Sequence, residues 1–320
     1  MGIVAVDDAG FWEDRAAIRA CLLESPPRVL PWFGYDDLGS QLFEEITRLP
    51  TYYLTRVERA LLEVYAGRIA DRVNGRVAEL GSGSAKKTRL LLDACLQRRP
   101  TTYLPIDVSR GMLDASSRAL AVELHELGVQ GLWGRYEAGL AYLRDHHEAP
   151  VTVAFLGSNL GNTTPGERAA LLAEIAATLQ PGDRFLVSID LQKPATVFDT
   201  CYNDPPDRSA FVRFRLNHLT HLNRRFDGDF VLHGFYPRAH YNTATGDVEG
   251  HLYAIENQTV TLRGLELVLD VQRDASINVG FSAKFDRHAF VTTVNALGFT
   301  LDSEWIDTAW QYGLFLFARL

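Results

Sequence analysis

Arg76-Val-Ala-Glu-Leu-Gly-Ser-Gly-Ser-Ala-Lys-Lys-Thr88 decides how the rest of the chain is read. A short apolar run stops at the turn Gly81-Ser-Gly83. Leu90, Leu91, Leu92 and Cys95 then mark a helix whose start carries Lys86, Lys87 and Arg89. Thr101–Asp107 (TTYLPID) is β-branched and aromatic and ends on a carboxylate, as a second strand would. A weaker strand is predicted around Val129–Trp133, and Val151–Leu156 (VTVAFL) is the near-continuous apolar run of a strand buried on both faces. Thr164, Pro165 and Glu167 spell a helix start with a capping box. Leu171, Leu172, Ile175 and Leu179 form that helix's buried face, and Pro181-Gly182 ends it before the strand Arg184–Leu191. Strands joined by helical crossovers predict an α/β fold with a parallel, doubly wound sheet.

The rhythm breaks after Lys193-Pro194. Residues 195–284 hold a helical segment near 205–225 and strand-like runs at Phe230–Pro237, His240–Thr243, Gly250–Thr259 and Leu265–Val271, which read as an inserted antiparallel unit. The α/β pattern resumes with a helix near 287–297 and strands around 299–306 and 313–319. The first 55 residues are largely helical and show no strand of the sheet, and no internal repeat is present.

Composition narrows the function. The length of 320 residues allows two domains, or one large domain with an insertion, and 47% hydrophobic residues exclude a disordered chain. With 32 Lys+Arg against 40 Asp+Glu the net charge is −8. That leaves no cationic surplus for a phosphate backbone, so a small molecule, not nucleic acid, is the expected partner. The N-terminus lacks a basic, signal-like region, Val6 stands where myristoylation needs Ser or Thr, and no apolar run reaches membrane-spanning length. Cys21, Cys95 and Cys201 are odd in number, far apart and without metal spacing. A soluble, cytoplasmic protein is expected, with no membrane partner, no metal site and no oligomer implied.

The motifs each admit two readings. Glu79-Leu-Gly81-Ser-Gly83 between strand and helix fits a nucleotide-binding turn or a plain turn. Lys86 occupies the place of the third glycine of a dinucleotide fingerprint, which ranks a nicotinamide-dependent dehydrogenase low. An acidic residue ahead of the glycines suits the cationic S-adenosylmethionine instead. Asp107 at the end of the second strand is placed to accept ribose hydroxyls or to cap the next helix. Asn162, in Phe155-Leu-Gly-Ser-Asn-Leu-Gly-Asn162, is a substrate residue or a turn residue before Thr164. The aromatics of Trp32-Phe-Gly-Tyr35 and Tyr52-Tyr53 line a ligand or fill a core.

Together these blocks are more specific. Tyr35-Asp-Asp-Leu-Gly-Ser-Gln-Leu-Phe-Glu-Glu-Ile-Thr-Arg-Leu-Pro-Thr-Tyr-Tyr-Leu-Thr-Arg56, Glu79–Gly83 with Lys87-Thr-Arg89, Pro105-Ile-Asp107, Phe155–Asn162 and Phe281-Ser-Ala-Lys-Phe285 resemble, in order, the histidine Nα-methyltransferase family of ergothioneine biosynthesis. The resemblance runs from residue 32 to beyond 285. It implies a class I methyltransferase domain (57–192 and 285–320), Rossmann-like, and an α+β substrate domain built from 1–56 and 193–284. It implies S-adenosylmethionine on Gly81, Gly83, Lys87 and Asp107, and the substrate's amine and carboxylate near Asn162 and Tyr202, with Tyr35 and Tyr52 lining the pocket.

Three departures from the family pattern bear on specificity. Gly134-Arg135-Tyr136 replaces an Asp-Phe pair after the third strand, leaving Tyr136 a backbone contact to the adenine. Arg135 motivates an alternative of another class, a non-catalytic sensor of S-adenosylmethionine or of an amino acid. Gly280 stands two residues before the pocket residue Ser282, where the histidine enzymes carry a glutamate, and Gly250 stands where they carry a bulky apolar residue. Losing a buried polar partner and gaining volume predicts an aromatic substrate, tryptophan- or tyrosine-like, with histidine the alternative. The expected enzyme is an N-methyltransferase acting on the α-amine of a free amino acid, with Tyr35 and Asn162 nearest the chemistry.

Overall fold

A computed structural model describes residues 2–203 and 209–320. In chain order its main elements are β1 (Gly2–Ala5), α1 (Arg15–Leu22), α2 (Asp37–Ile46), α3 (Tyr53–Ala70), β2 (Arg76–Leu80), α4 (Thr88–Leu96), β3 (Thr102–Asp107) and α5 (Arg110–Glu123). Next come β4 (Gly128–Trp133), α6 (Tyr136–Asp145), β5 (Val151–Phe155), α7 (Pro165–Thr178), β6 (Arg184–Asp190), α8 (Ala195–Asn203) and α9 (Ala210–Phe226). The rest are β7 (Phe235–Asn242), β8 (Asp247–Ala254), β9 (Gln258–Leu262), β10 (Leu267–Val271), β11 (Ser276–Ala283), α10 (Arg287–Ala296), β12 (Phe299–Asp307) and β13 (Tyr312–Arg319). Two compact units result: Met1–Ala9, Tyr53–Lys193 and Ala283–Leu320 form one, Gly10–Tyr52 and Pro194–Ser282 the other.

The first unit is an α/β layer structure on a sheet of order β1-β4-β3-β2-β5-β6-β13-β12. β1 through β6 pair in parallel, and β13 and β12 close the sheet antiparallel. Every residue of β5 is buried, as its unbroken apolar run requires. Leu171, Leu172 and Ile175 of α7 and Phe290 and Val294 of α10 join the core over the sheet. Both bonds of the α7 capping box are present: Glu167 N–H donates to Thr164 Oγ1 at 3.3 Å, and Thr164 N–H to Glu167 Oε2 at 2.9 Å. The strand order reverses between β2 and β5, where ligands of open α/β sheets bind beyond the carboxyl ends.

One expectation is corrected at the N-terminus. The first residues do contain a strand of this sheet, β1, paired with β4 from Gly2↔Gln130 to Ala5↔Trp133. At four residues, on the sheet's edge and mostly exposed, it carries no alternation to betray it.

The second unit holds α1, α2, α8 and α9, a sheet of order β11-β8-β7 and the antiparallel hairpin β9–β10. The helix expected near 205–225 is α9, which starts at Ala210 on a Ser209 cap; residues 205–208 of that expectation lie outside the described residues. The separate runs expected at 230–237 and 240–243 are a single strand, β7, whose Pro237 is tolerated because β7 lies at the sheet edge. The expected 250–259 run is split by a turn at 255–257. Strand β11, which carries Gly280 and Ser282, was not foreseen as a strand. Among the described residues no helix is long and apolar enough to cross a membrane.

Candidate functional site

In the first unit the turn after β2 is tied to the end of β3. Gly81 N–H donates to the Ile106 carbonyl at 2.9 Å, and Gly83 N–H to Asp107 Oδ2 at 2.8 Å. The second carboxylate oxygen, Oδ1, accepts from Ser109 N–H at 2.9 Å. A carboxylate has about four acceptor sites, so capacity for a ribose hydroxyl remains beside these backbone donors. Burial pushes the Asp107 carboxyl upward, against the opposing pull of the Ser109, Gly83 and Val108 backbone. Gly81 has φ +71°, and a Cβ there would lie 2.8 Å from Tyr136 Oη and 3.0 Å from Asn159 Nδ2. Only glycine satisfies both constraints. At Gly83 a Cβ would meet nothing within 4 Å, so the turn opens onto unfilled space at that residue. A turn with open space beside it and a half-buried carboxylate fits a nucleoside-bearing cofactor.

Other residues brace the same strand ends. Lys87 pairs with Glu58 of α3, which is buried, and Glu58 Oε1 accepts from Gly157 N–H at 2.7 Å. Asn159 Nδ2 donates to the Gly81 carbonyl at 3.4 Å, and the Tyr136 ring packs edge-on against Phe155 at 5.2 Å. Asn162, on the turn Asn159–Asn162 after β5, is half-buried, and its side chain makes no hydrogen bond among the described residues. Glu79, which precedes the glycine turn, is buried and accepts from Thr88 Oγ1 at 2.8 Å and from the Tyr103 hydroxyl, and burial raises its carboxyl to about 7. Arg135 is paired with Asp7, donating from Nε to Oδ2 at 2.8 Å and from Nη2 to Oδ1 at 3.3 Å. The residue that motivated the sensor alternative is therefore paired within this unit. At the end of β6, buried Asp190 accepts from Tyr53 Oη at 2.6 Å, pairs with Lys284 Nζ at 2.8 Å, and is also paired with Lys193.

The second unit gathers the remaining nominated residues. Tyr202 Oη and Ser282 Oγ are hydrogen bonded at 2.8 Å, both buried. The Tyr52 ring stands edge-on to Tyr202 at 6.2 Å and to Phe211 at 5.7 Å. Tyr35 packs edge-on against Phe43 at 5.5 Å and Phe214 at 5.1 Å, and Phe43 in turn meets Tyr52. Gly250 and Gly280 adjoin: a Cβ on Gly250 would lie 3.7 Å from the Gly280 carbonyl oxygen. The same Cβ would lie 3.3 Å from Arg215 Nε, so the volume expected at Gly250 is not empty. At Gly280 nothing lies within 4 Å of such a Cβ, and the expected room exists there. His240, Glu249 and His251, on β7 and β8, bring ligand-type atoms within 4.8 Å of one another. Glu249 is hydrogen bonded to Asn242 and His251, and His251 to Ser276, so no metal role is assigned to them.

The family described as histidine-specific, S-adenosylmethionine-dependent methyltransferases matches residues 14–319. The chain belongs to this family. It is 33% identical to the histidine N-alpha-methyltransferase of Mycobacterium tuberculosis over 98% of this chain and 97% of that one. It is 34% identical to the protein of the same name from Mycolicibacterium smegmatis, over 95% and 94%. The N-methyltransferase dtpB of Aspergillus flavus is 30% identical over 62% of this chain and 58% of that protein. The protein is thus an S-adenosylmethionine-dependent amino-acid N-methyltransferase on a Rossmann-like fold.

Two residues of this methyltransferase escaped the sequence reading although each left a signal. Glu58 lies on the apolar stripe of α3 with Leu54, Val57, Leu61 and Leu62. Arg215 lies on the buried stripe of α9 with Phe211, Leu219 and Leu222. A charge inside an apolar helical stripe has to be paired or to meet a ligand. Glu58 is the paired case.

Proposed function

We propose that this N-methyltransferase acts on the α-amine of a free amino acid and that the amino acid is histidine. The observation that carries the choice is the match to two proteins named histidine N-alpha-methyltransferase over nearly the whole of both chains. Gly81, Gly83, Lys87 and Asp107 would hold S-adenosylmethionine, with the Tyr136 backbone against the adenine. The cofactor supplies an electrophilic methyl on a sulfonium. As the family resemblance implies, the Asn162 amide and the Tyr202 hydroxyl are assigned to the amino acid and Tyr52 to the lining of its pocket; holding the amine lone pair in one direction is where positional catalysis gains most. The ammonium first gives up a proton, and a water beside Tyr35 receives it.

Asn162→Ala or Tyr202→Phe is expected to lower kcat/KM for the amino acid roughly 5- to 30-fold, the effect of one lost hydrogen bond in a site. The cofactor affinity by calorimetry should stay within about twofold, since neither side chain is assigned to it. Loss of cofactor binding with the fold intact would remove both from the amino-acid side. A second reading, an aromatic substrate such as tyrosine or tryptophan, is favoured by the open space at Gly280. Mass spectrometry of the twenty amino acids incubated with S-adenosylmethionine decides between them. Histidine is expected to be methylated with the highest kcat/KM, and a higher value for an aromatic amino acid would replace it.

A further inference from the structure

We infer that Arg215 reads the substrate's side chain as a hydrogen-bond donor. The amino acid accepted then presents an acceptor there, a neutral ring nitrogen or an oxygen, and neither a cation nor a bare N–H. The inference rests on the proposal that Gly250 and Gly280 face the substrate's side chain.

Arg215 is only 6% exposed, yet among the described residues its guanidinium makes a single hydrogen bond, from Nη2 to the Tyr202 carbonyl at 2.9 Å. Its guanidinium lies over the Phe211 ring at 5.1 Å, and among the described residues no carboxylate pairs with it. Burying a guanidinium without a counter-charge is costly, and its five N–H donors call for acceptors. Gly250 leaves the Nε edge uncovered by any side chain of its own, and Gly280 beside it adds open space. Tyr202 links this corner to the Ser282 hydroxyl. Burial lowers the Arg215 pKa to about 10, so it is a cation at neutral pH. The titratable groups around it are Tyr202, His218 on the next turn of α9, and His251 with Glu249 on β8.

Selectivity follows from donor and acceptor count. A neutral imidazole offers one acceptor nitrogen, an imidazolium none, and an indole only an N–H. Tyrosine and glutamate offer oxygen. Tryptophan therefore leaves the aromatic reading even if tyrosine stays.

The test compares two near-isosteric rings on the same enzyme: 4-thiazolylalanine, with a ring nitrogen that stays neutral, and thienylalanine, with none. The wild type is expected to favour the thiazole in kcat/KM roughly 10- to 100-fold, and Arg215→Met to bring the ratio close to one while S-adenosylmethionine binding is unchanged. The wild-type ratio of histidine to 4-thiazolylalanine should also fall about tenfold per pH unit below ~6.5, as histidine gains a proton. Enzyme groups, His218 and His251 included, cancel in that ratio. If Arg215→Met does not fold, the two wild-type ratios and Arg215→Gln, which keeps a neutral donor and should retain part of the thiazole preference, carry the decision. A wild type indifferent to the ring nitrogen, or a folded Arg215→Met with wild-type preference, overturns the inference. Histidine methylated without such dependence leaves the histidine proposal standing and removes Arg215. Tyrosine or glutamate as the best substrate removes histidine and leaves Arg215 in place.

Discussion

Asp190→Ala is expected to destabilise the sheet-bearing unit by about 3–5 kcal/mol, the cost of removing one partner from a buried ion pair. For a unit of this size that corresponds to a fall in Tm of roughly 6–20 °C. Asp190 is fully buried and meets two ammonium groups, Lys193 and Lys284, the latter at 2.8 Å, as well as the Tyr53 hydroxyl at 2.6 Å. Without it both cations lose this carboxylate in a region closed to water. Asp190→Asn is expected to be nearly as damaging. It keeps an acceptor for Tyr53 but supplies no charge, and the excess of two cations is the dominant cost. Lys193→Met should be milder, because Lys284 still balances the carboxylate. Calorimetric melting of the three variants checks this order, and an Asp190→Ala protein that melts within ~2 °C of wild type would mean the cluster is hydrated.

The sheet was legible because it is repetitive. Val151–Phe155 is apolar throughout, Thr164, Pro165 and Glu167 announce α7, and the glycine turn and Asp107 fall at strand ends that sit side by side. β1 escaped because an exposed four-residue edge strand needs no hydrophobic pattern, only the pairing with β4 that long-range structure provides. β11 escaped because Asn278, Gly280 and Ser282 interrupt its run of apolar and β-branched residues. The site was half legible for a related reason. Residue types at strand ends point to a nucleotide, but who pairs with whom is a tertiary fact. The partners of Glu79, Thr88 and Tyr103, cannot be read from its place before Gly81, and Arg135 reads as an intrusion until Asp7 is seen beside it. Gly250 is the sharpest instance. Counting only the lost side chain predicts a void, whereas the neighbouring helix sends Arg215 to within 3.3 Å of where that side chain would begin.

Asp107→Ala is expected to raise the dissociation constant for S-adenosylmethionine roughly 10- to 150-fold, about 1.5–3 kcal/mol for lost hydrogen bonds to a charged acceptor. Two effects act together. The carboxylate is the acceptor at the end of β3 suited to ribose hydroxyls, and it also holds the glycine turn by accepting from Gly83 N–H and Ser109 N–H. Asp107→Asn separates them. Its amide retains one acceptor oxygen, so part of the backbone bonding survives, but the charge is gone and an N–H₂ now faces a backbone donor. The asparagine variant should therefore lose affinity too, with a smaller loss of thermal stability than alanine. Because burial already pushes the carboxyl upward, acidification protonates it sooner than an exposed aspartate, and cofactor affinity should fall as pH drops through its raised pKa. The sign is fixed by the acceptor role: the protonated form has lost the charge that the ribose hydroxyls donate to. Isothermal titration at several pH values measures both trends. An alanine variant that binds S-adenosylmethionine within about twofold of wild type, with an unchanged pH trend, would leave Asp107 as nothing more than the brace of the glycine turn.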